Sequence, residues 1–167
     1  MSSNHHTVTL RTSAATEALG AAFAALIGPG MRIYLSGDLG SGKTTFTRGL
    51  LHALGHQGSV KSPTYTLVEI YVISGYILYH FDFYRLNSPE EWREAGLDEH
   101  FNERSVCLVE WPEQAAGTLP TPDVQLQFRF ESGAEGDWRT VDLKALTTRG
   151  EQCLDALRKE RPNLLWT

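Results

Sequence analysis

Residues 37–44 read GDLGSGKT and fit the phosphate-loop pattern of glycine, four residues, glycine, lysine, and serine or threonine. The glycines allow sharp backbone turns that point successive amide N–H groups into one concavity. Residues 31–35 before the loop are apolar enough for a buried strand, and residues 44–54 after it have a helical pattern. A strand, a loop and a helix N-terminus in this order favour phosphate binding, because the unpaired amides and the helix dipole face the anion. This feature predicts a nucleotide-binding α/β fold.

Each part of the loop has an expected role. We expect Lys43 to contact the β- and γ-phosphates and the Thr44 hydroxyl to coordinate Mg²⁺. The segment expected to surround the nucleotide comprises Gly37, Asp38, Leu39, Gly40, Ser41, Gly42, Lys43, Thr44 and Thr45. The alternative is a glycine-rich turn with an incidental lysine, which the order of the flanking elements disfavours.

The rest of the chain predicts one α/β domain spanning residues 1–167. Its strand-like patterns lie at residues 7–11, 64–73, 76–83, 106–109, 124–130 and 138–143. Its helical patterns lie at residues 14–27, after a cap at Ser13, from Ser88 through Leu97, and at residues 147–161. We expect a P-loop NTPase-like mixed sheet with helices on both faces. An antiparallel hairpin turns at Ser74 and Gly75, and a strand pair lies near the C-terminus.

Composition limits the classes of partner. A net charge of −5 gives no global basic field for nucleic acid. No run of about 18 apolar residues is present to span a bilayer, and the polar residues 1–6 lack the apolar core of a signal peptide. Cys107 and Cys153 do not have metal-ligand spacing, which agrees with a reducing compartment. We therefore expect a cytoplasmic protein without a membrane partner.

Two acidic residues are candidates for holding the metal. Glu110 follows the apolar run at residues 106–109, and a carboxylate at the carboxyl end of a central strand lies beside the ligand in this fold class. We expect it to act on Mg²⁺ through a coordinated water, the alternative being that it only caps the next turn. Asp82 shares a strand face with His80 and Tyr84, either as a solvated outer face or close to the metal and the attacking water.

A third segment, residues 62–66, carries three aliphatic hydroxyl side chains on a stiff turn, with Thr64 at its centre. It could be a switch that senses the γ-phosphate, or it could serve only the turn and the strand. The sequence has no Asn-Lys-x-Asp motif, which favours ATP over GTP. ATP hydrolysis by Lys43, Thr64, Asp82 and Glu110 is the main hypothesis. A small P-loop kinase and a non-catalytic nucleotide-sensing subunit stay open as alternatives.

Four segments together resemble the TsaE family, formerly YjeE, the ATPase component of bacterial tRNA threonylcarbamoyladenosine synthesis. They are GDLGSGKTT at residues 37–45, KSPTYTLVE at 61–69, YHFDFYRL at 79–86 and LVEWPE at 108–113. The phosphate loop alone would not select this family, whereas the other three segments, in this order and spacing, do. The resemblance covers residues 15–113 well and the remainder only in size and element order.

The resemblance implies a small cytoplasmic ATPase that is weakly active alone and works with two partner proteins, TsaB and TsaD. TsaD transfers the threonylcarbamoyl group to the adenosine beside the anticodon, and ATP hydrolysis resets that complex between turnovers. Because the partners would bind the tRNA, a chain of net charge −5 needs only indirect contact with it. We expect a monomer when the protein is alone.

The resemblance also assigns site residues: Lys43 and Thr44 for phosphate and Mg²⁺, Asp82 and Glu110 as essential acids, Thr64 in the switch, and Trp111 beside the nucleotide. It implies that Thr16 approaches the base and that Arg139 corresponds to a late arginine of the family. Ser13 is a further expected nucleotide contact, although it departs from the acidic residue that the family often has at this position.

Overall fold

The structure, a computed structural model, describes residues 4–73 and 75–167. The strands in this part of the chain are β1 (His5–Leu10), β2 (Arg32–Ser36), β3 (Val68–Ile73), β4 (Tyr76–Asp82), β5 (Ser105–Glu110), β6 (Val124–Gly133), β7 (Gly136–Ala145) and β8 (Leu165–Trp166). They form one sheet in the order β3-β4-β5-β2-β6-β7-β1-β8.

Four α-helices accompany the sheet within the described ranges: α1 (Ser13–Phe23), α2 (Lys43–Ala53), α3 (Glu91–Glu94) and α4 (Thr148–Glu160). Two short 3₁₀ helices span Leu97–His100 and Pro112–Ala115. Each of these helices is too short or too polar to cross a membrane.

The centre of the sheet is parallel and its margins are antiparallel. β2 runs parallel to both β5 and β6, and β4 runs parallel to β5. The pairs β3–β4, β6–β7, β7–β1 and β1–β8 are antiparallel. The carboxyl ends of β2, β4 and β5 therefore meet at one edge of the sheet, where ligands gather in open α/β sheets.

Alternating side chains divide the core between the two faces of the sheet. One face holds the larger cluster, in which Phe23 of α1, Phe46 of α2 and Leu157 of α4 pack with residues such as Leu35. The other face holds a smaller cluster around Trp92 that is covered by α3 and the two 3₁₀ helices. The predicted mixed sheet with helices on both faces is confirmed, and the long helices all lie on one side.

Helices α1 and α2 approach closely because each presents a glycine to the other. A Cβ atom built on Gly20 would lie 2.9 Å from the Phe46 carbonyl carbon. A Cβ built on Gly49 would lie 2.7 Å from Glu17 Cα. Real Cβ atoms do not approach a backbone so closely, so these two glycines set the separation of the helix axes. This packing holds the N-terminus of α2 beside the sheet.

Several predicted boundaries are wrong. Thr12, not Ser13, caps α1 by accepting a hydrogen bond from the Ala15 amide, and the helix ends at Phe23 instead of residue 27. β3 starts at Val68 instead of residue 64, because residues 63–67 form a turn that the Leu67 amide closes on the Pro63 carbonyl at 2.9 Å.

The predicted helix after Ser88 is only the single turn of α3, followed by a separate 3₁₀ helix. The two-residue strand β8 has no counterpart among the predicted elements. The hairpin between β3 and β4 is confirmed by its antiparallel register. One of its two predicted turn residues, Ser74, lies outside the described residues.

Candidate nucleotide-binding site

The loop between β2 and α2 has the backbone geometry that phosphate binding needs. Gly37 has a φ of 143°, and Gly42 caps α2 with a φ of 112°. A Cβ on Gly37 would lie 2.6 Å from the Phe128 carbonyl oxygen, so only glycine fits against β6 at this position. The helix begins at Lys43 with no side-chain cap within the described chain, which leaves its first amides available to an anion.

Lys43 points into this loop. Its side chain is buried, and the ammonium group donates hydrogen bonds to the carbonyls of Gly37 and, at 3.1 Å, Asp38. Burial lowers the pKa of Lys43, and the nearby carboxylates of Glu110 and Glu113 only partly offset this. The cation is thus already placed within the loop where a phosphate would approach.

The two candidate acids end neighbouring strands at the same level. Asp82 on β4 and Glu110 on β5 are register partners, and both are buried. Their side chains fall on the α2 side of the sheet, because Leu78, Val106 and Leu108 on the same faces belong to the larger core cluster. The alternative of a solvated outer face for Asp82 is therefore wrong.

Glu110 connects the acid pair to the phosphate loop. Its Oε1 accepts a hydrogen bond of 3.4 Å from the Thr44 hydroxyl, and its Oε2 accepts one of 2.7 Å from His80 Nε2. Burial raises the pKa of Glu110, but the hydrogen bonds from His80 and Ser62 and the Lys43 charge outweigh it, so the net pKa is lowered. Glu110 is therefore a carboxylate at neutral pH.

The turn at residues 62–64 covers both acids. The Ser62 hydroxyl lies within hydrogen-bond distance of Asp82 Oδ2 and, at 3.1 Å, of Glu110 Oε2. A hydroxyl has one proton, so the two carboxylates share it. Thr64 donates a further hydrogen bond of 3.3 Å to Asp82 Oδ2. Ser62 was not among the predicted site residues, although it lies in the segment that the sequence singles out for its hydroxyl groups.

Trp111 forms a wall of the site. It follows Glu110 in the left-handed conformation, with a φ of 58°, and its amide donates to the Leu35 carbonyl at 3.2 Å. The indole ring lies with its centroid 4.3 Å from Lys43 Nζ, a cation–π distance. Tyr84 packs on the same ring at a centroid distance of 4.9 Å. This strained backbone turn brings an aromatic face to the phosphate loop.

These groups enclose a cavity of about 180 Å³. Its lining includes most of the predicted site residues, namely Leu39, Gly40, Ser41, Gly42, Lys43, Thr44, Thr45, Thr64, Asp82, Glu110 and Trp111, together with Ser62. The structure thus brings together residues from four separate segments. Their roles stay predictions.

Five predicted nucleotide contacts lie outside this cavity lining: Gly37 and Asp38 at the start of the loop, and Thr16, Arg139 and Ser13. Gly37 and Asp38 line an adjoining pocket that also borders Trp111. Arg139 donates a hydrogen bond of 3.1 Å to the Gly40 carbonyl, and Thr16 lies 3.3 Å from the position of a Cβ on Gly42. Both therefore adjoin the loop. Ser13 is exposed in the first turn of α1 and is absent from the cavity lining.

The donor set fits magnesium better than a metal held by protein ligands alone. Among the described residues, no group of three or more His, Cys, Asp or Glu side chains is arranged to hold a metal. Mg²⁺ is usually bound by one or two carboxylates, waters and substrate phosphates. The hydroxyl of Thr44 and the carboxylates of Glu110 and Asp82 suit that mode.

Comparisons with known proteins agree with one another. The family model described as "Threonylcarbamoyl adenosine biosynthesis protein TsaE" matches residues 10–139. A Haemophilus influenzae protein named tRNA threonylcarbamoyladenosine biosynthesis protein TsaE is 49% identical over 124 residues, covering 74% of this chain and 76% of that protein. The Bacillus subtilis protein of the same name is 38% identical over 144 residues, covering 86% and 88%. The crystal structure of Bacillus subtilis YdiB superposes with a TM-score of 0.75 at 31% identity, covering 93% of this chain and 95% of that chain.

Proposed function

Because the chain belongs to the TsaE family, we propose that it is the ATP-hydrolysing subunit of tRNA threonylcarbamoyladenosine synthesis in the cytoplasm. The family name supports the pathway. The observation that supports hydrolysis is the position of Glu110 Oε1, 3.4 Å from the Thr44 hydroxyl and in the same cavity as Lys43. A carboxylate, a hydroxyl and a lysine in this arrangement are the parts that a P-loop NTPase uses.

Each residue then has a role in the reaction. The amides at the start of α2 and the Lys43 ammonium bind the phosphates and stabilise the charge that develops on them. Thr44, Glu110 and Asp82 would hold Mg²⁺, Thr44 through its hydroxyl and Glu110 through a water. The ion, when bound, neutralises the phosphate oxygens. Trp111 and the turn at residues 62–64 line the cavity. By shielding part of it from bulk water they would strengthen the electrostatic interactions inside it.

The partners in this proposal are a TsaB–TsaD pair, and tRNA is reached through them. The net charge of −5 supports this division, since a protein that grips tRNA directly needs a basic surface. Hydrolysis by the isolated chain is expected to be slow, and docking of the pair to accelerate it.

Reconstitution tests the proposal. Purified protein is incubated with ATP, Mg²⁺, TsaB, TsaD, tRNA and the threonylcarbamoyl donor, and both phosphate release and modified tRNA are measured. We expect faster phosphate release with the pair present and more than one modification per TsaD only when ATP can be hydrolysed. Absence of both effects contradicts the proposal.

Variants separate the proposal from its alternatives. Lys43→Ala should abolish nucleotide binding, whereas Glu110→Ala and Asp82→Ala should retain binding and lose turnover. A sensing subunit would show no turnover to lose. A small kinase would transfer labelled phosphate to an added acceptor, whereas we expect all the label as inorganic phosphate.

A further inference from the structure

We propose that His80 is a positioning residue that orients the Glu110 carboxylate toward the metal side of the site. This inference rests on the proposed Mg²⁺-dependent hydrolysis. It assigns a role to a residue that is absent from the cavity lining and meets the site only through Glu110.

His80 lies where the apolar core meets the acid pair. Along β4, Leu78, His80 and Asp82 share one face, and their register partners on β5 are Val106, Leu108 and Glu110. Leu78 and its partner belong to the core cluster, whereas Asp82 and its partner line the cavity. The His80 side chain is fully buried between these two levels. Burying a polar ring costs free energy unless its nitrogen atoms form hydrogen bonds.

The hydrogen bond that His80 forms is with Glu110. His80 Nε2 lies 2.7 Å from Glu110 Oε2, and a carboxylate can only accept, so the ring carries its proton on Nε2. The other ring nitrogen, Nδ1, has no hydrogen-bond partner among the described residues. The bond to Glu110 is therefore the polar interaction that distinguishes this imidazole from an apolar side chain of similar size.

That bond selects which oxygen of Glu110 faces the metal. Oε2 is held on the core side by the imidazole, which leaves Oε1 directed at Thr44, the other magnesium candidate. Without the imidazole donor, Oε2 would accept only the hydrogen bond that Ser62 shares between the two acids. The carboxylate could then rotate about the Cγ–Cδ bond of Glu110. Residues that orient a metal-site ligand in this way typically change metal affinity or activity by about 10–100-fold when they are removed.

Two substitutions provide a matched test. His80→Gln places an amide N–H₂ near the position of Nε2 and can still donate to Glu110. His80→Asn is polar as well, but its amide is one methylene too short to reach. If the ring only filled the core, the two variants would behave alike, and the thermal midpoint of each monitors that contribution.

The measurements are Mn²⁺ binding to the complex with a non-hydrolysable ATP analogue, followed by electron paramagnetic resonance, and the Mg²⁺ dependence of ATP turnover. We expect His80→Asn to weaken Mn²⁺ binding and raise the Mg²⁺ requirement about 10–100-fold. His80→Gln should stay close to wild type, and metal-free nucleotide binding should be unchanged in both. Wild-type Mn²⁺ affinity in His80→Asn, or equal losses in the two variants, would overturn the role of His80.

The same measurements distinguish failure of the proposed ATPase function from failure of the inference about His80. If the wild-type protein and its partners hydrolyse no ATP, the ATPase assignment falls, while the Mn²⁺ measurement still decides the role of His80. If wild-type turnover is normal and the two variants cannot be distinguished in Mn²⁺ binding, only the inference about His80 falls.

Discussion

Replacing Gly49 by alanine should destabilise the protein, although alanine is the better helix former. In an isolated helix the change would stabilise by about 0.8–1.0 kcal/mol. In this fold the new Cβ would lie 2.7 Å from both Cα and the carbonyl carbon of Glu17, and closer still to its carbonyl oxygen. These are backbone atoms, so no rotamer change can relieve the overlap, and α1 must move away from α2.

The size of the effect follows from these opposing contributions. A displacement on the order of 1 Å in a well-packed interface costs roughly 1–3 kcal/mol or more. Subtraction of the gain in helix propensity leaves roughly 0–2 kcal/mol. Because the overlap is with backbone atoms, we expect the upper part of this range, a net loss of about 1–2 kcal/mol in the free energy of unfolding. For a chain of 167 residues each kcal/mol lowers the thermal midpoint by about 2–4 °C.

Equilibrium unfolding in urea, followed by circular dichroism, measures this loss. The matched control is Ala18→Gly at an exposed position of α1, where only helix propensity changes and a loss of about 0.5–1 kcal/mol is expected. Gly49→Ala and Ala18→Gly are opposite substitutions, and both should lower the free energy of unfolding. If Gly49→Ala is as stable as the wild type or more stable, the close approach of the two helices does not limit this position and the reasoning is refuted.

Three further predictions concern single side chains. Glu110→Gln should retain nucleotide affinity but lower ATP turnover by about 10–100-fold, because loss of the negative charge weakens Mg²⁺ binding. Calorimetry measures the nucleotide affinity, and phosphate release measures the turnover. Trp92→Phe should cost about 1–3 kcal/mol in thermal unfolding, because the buried Thr118 hydroxyl loses the 2.7 Å hydrogen bond that Trp92 Nε1–H donates to it. Burial raises the pKa of Asp142, but the hydrogen bonds from Arg129 and Thr7 and the Arg129 charge together outweigh it, so the net pKa is lowered. The stabilisation by this carboxylate is therefore present at neutral pH and lost as the pH falls through the lowered pKa. Asp142→Asn should cost about 0.5–1 kcal/mol at pH 7, and its difference from the wild type in urea unfolding should vanish in acid.

The parts of the fold that the sequence predicts well are those with local signals. The phosphate loop, its strand and its helix follow from a glycine pattern and short apolar runs, and Glu110 follows from its place after a buried strand. Each of these depends on residues within a few positions of one another. They therefore predict that the site forms at the edge where the carboxyl ends of the central strands meet.

The parts that the sequence does not predict depend on distant neighbours. The turn before β3, which moves the start of the strand from residue 64 to Val68, has Leu67 at a φ of 68°. The Leu67 carbonyl accepts a hydrogen bond of 3.0 Å from the Asp82 amide of the next strand. The hydrogen bond from His80 to Glu110 joins residues 30 positions apart. Period-two alternation places His80 on the face of Asp82, but only the parallel register of β4 and β5 shows which acid it reaches.

The single proton of Ser62 has a thermodynamic consequence. In the proposed function, a cation bound by Asp82 would compete with the Ser62 and Thr64 hydroxyls for the carboxylate that holds the turn at residues 62–64. In the other direction, a protein that draws the turn outward would free the Asp82 carboxylate for the cation. By linkage, the factor by which one event favours the other is the same in both directions. The outer surface of this turn and the proposed metal site would therefore share one coupling free energy, so that a measurement of either affinity would report on the other.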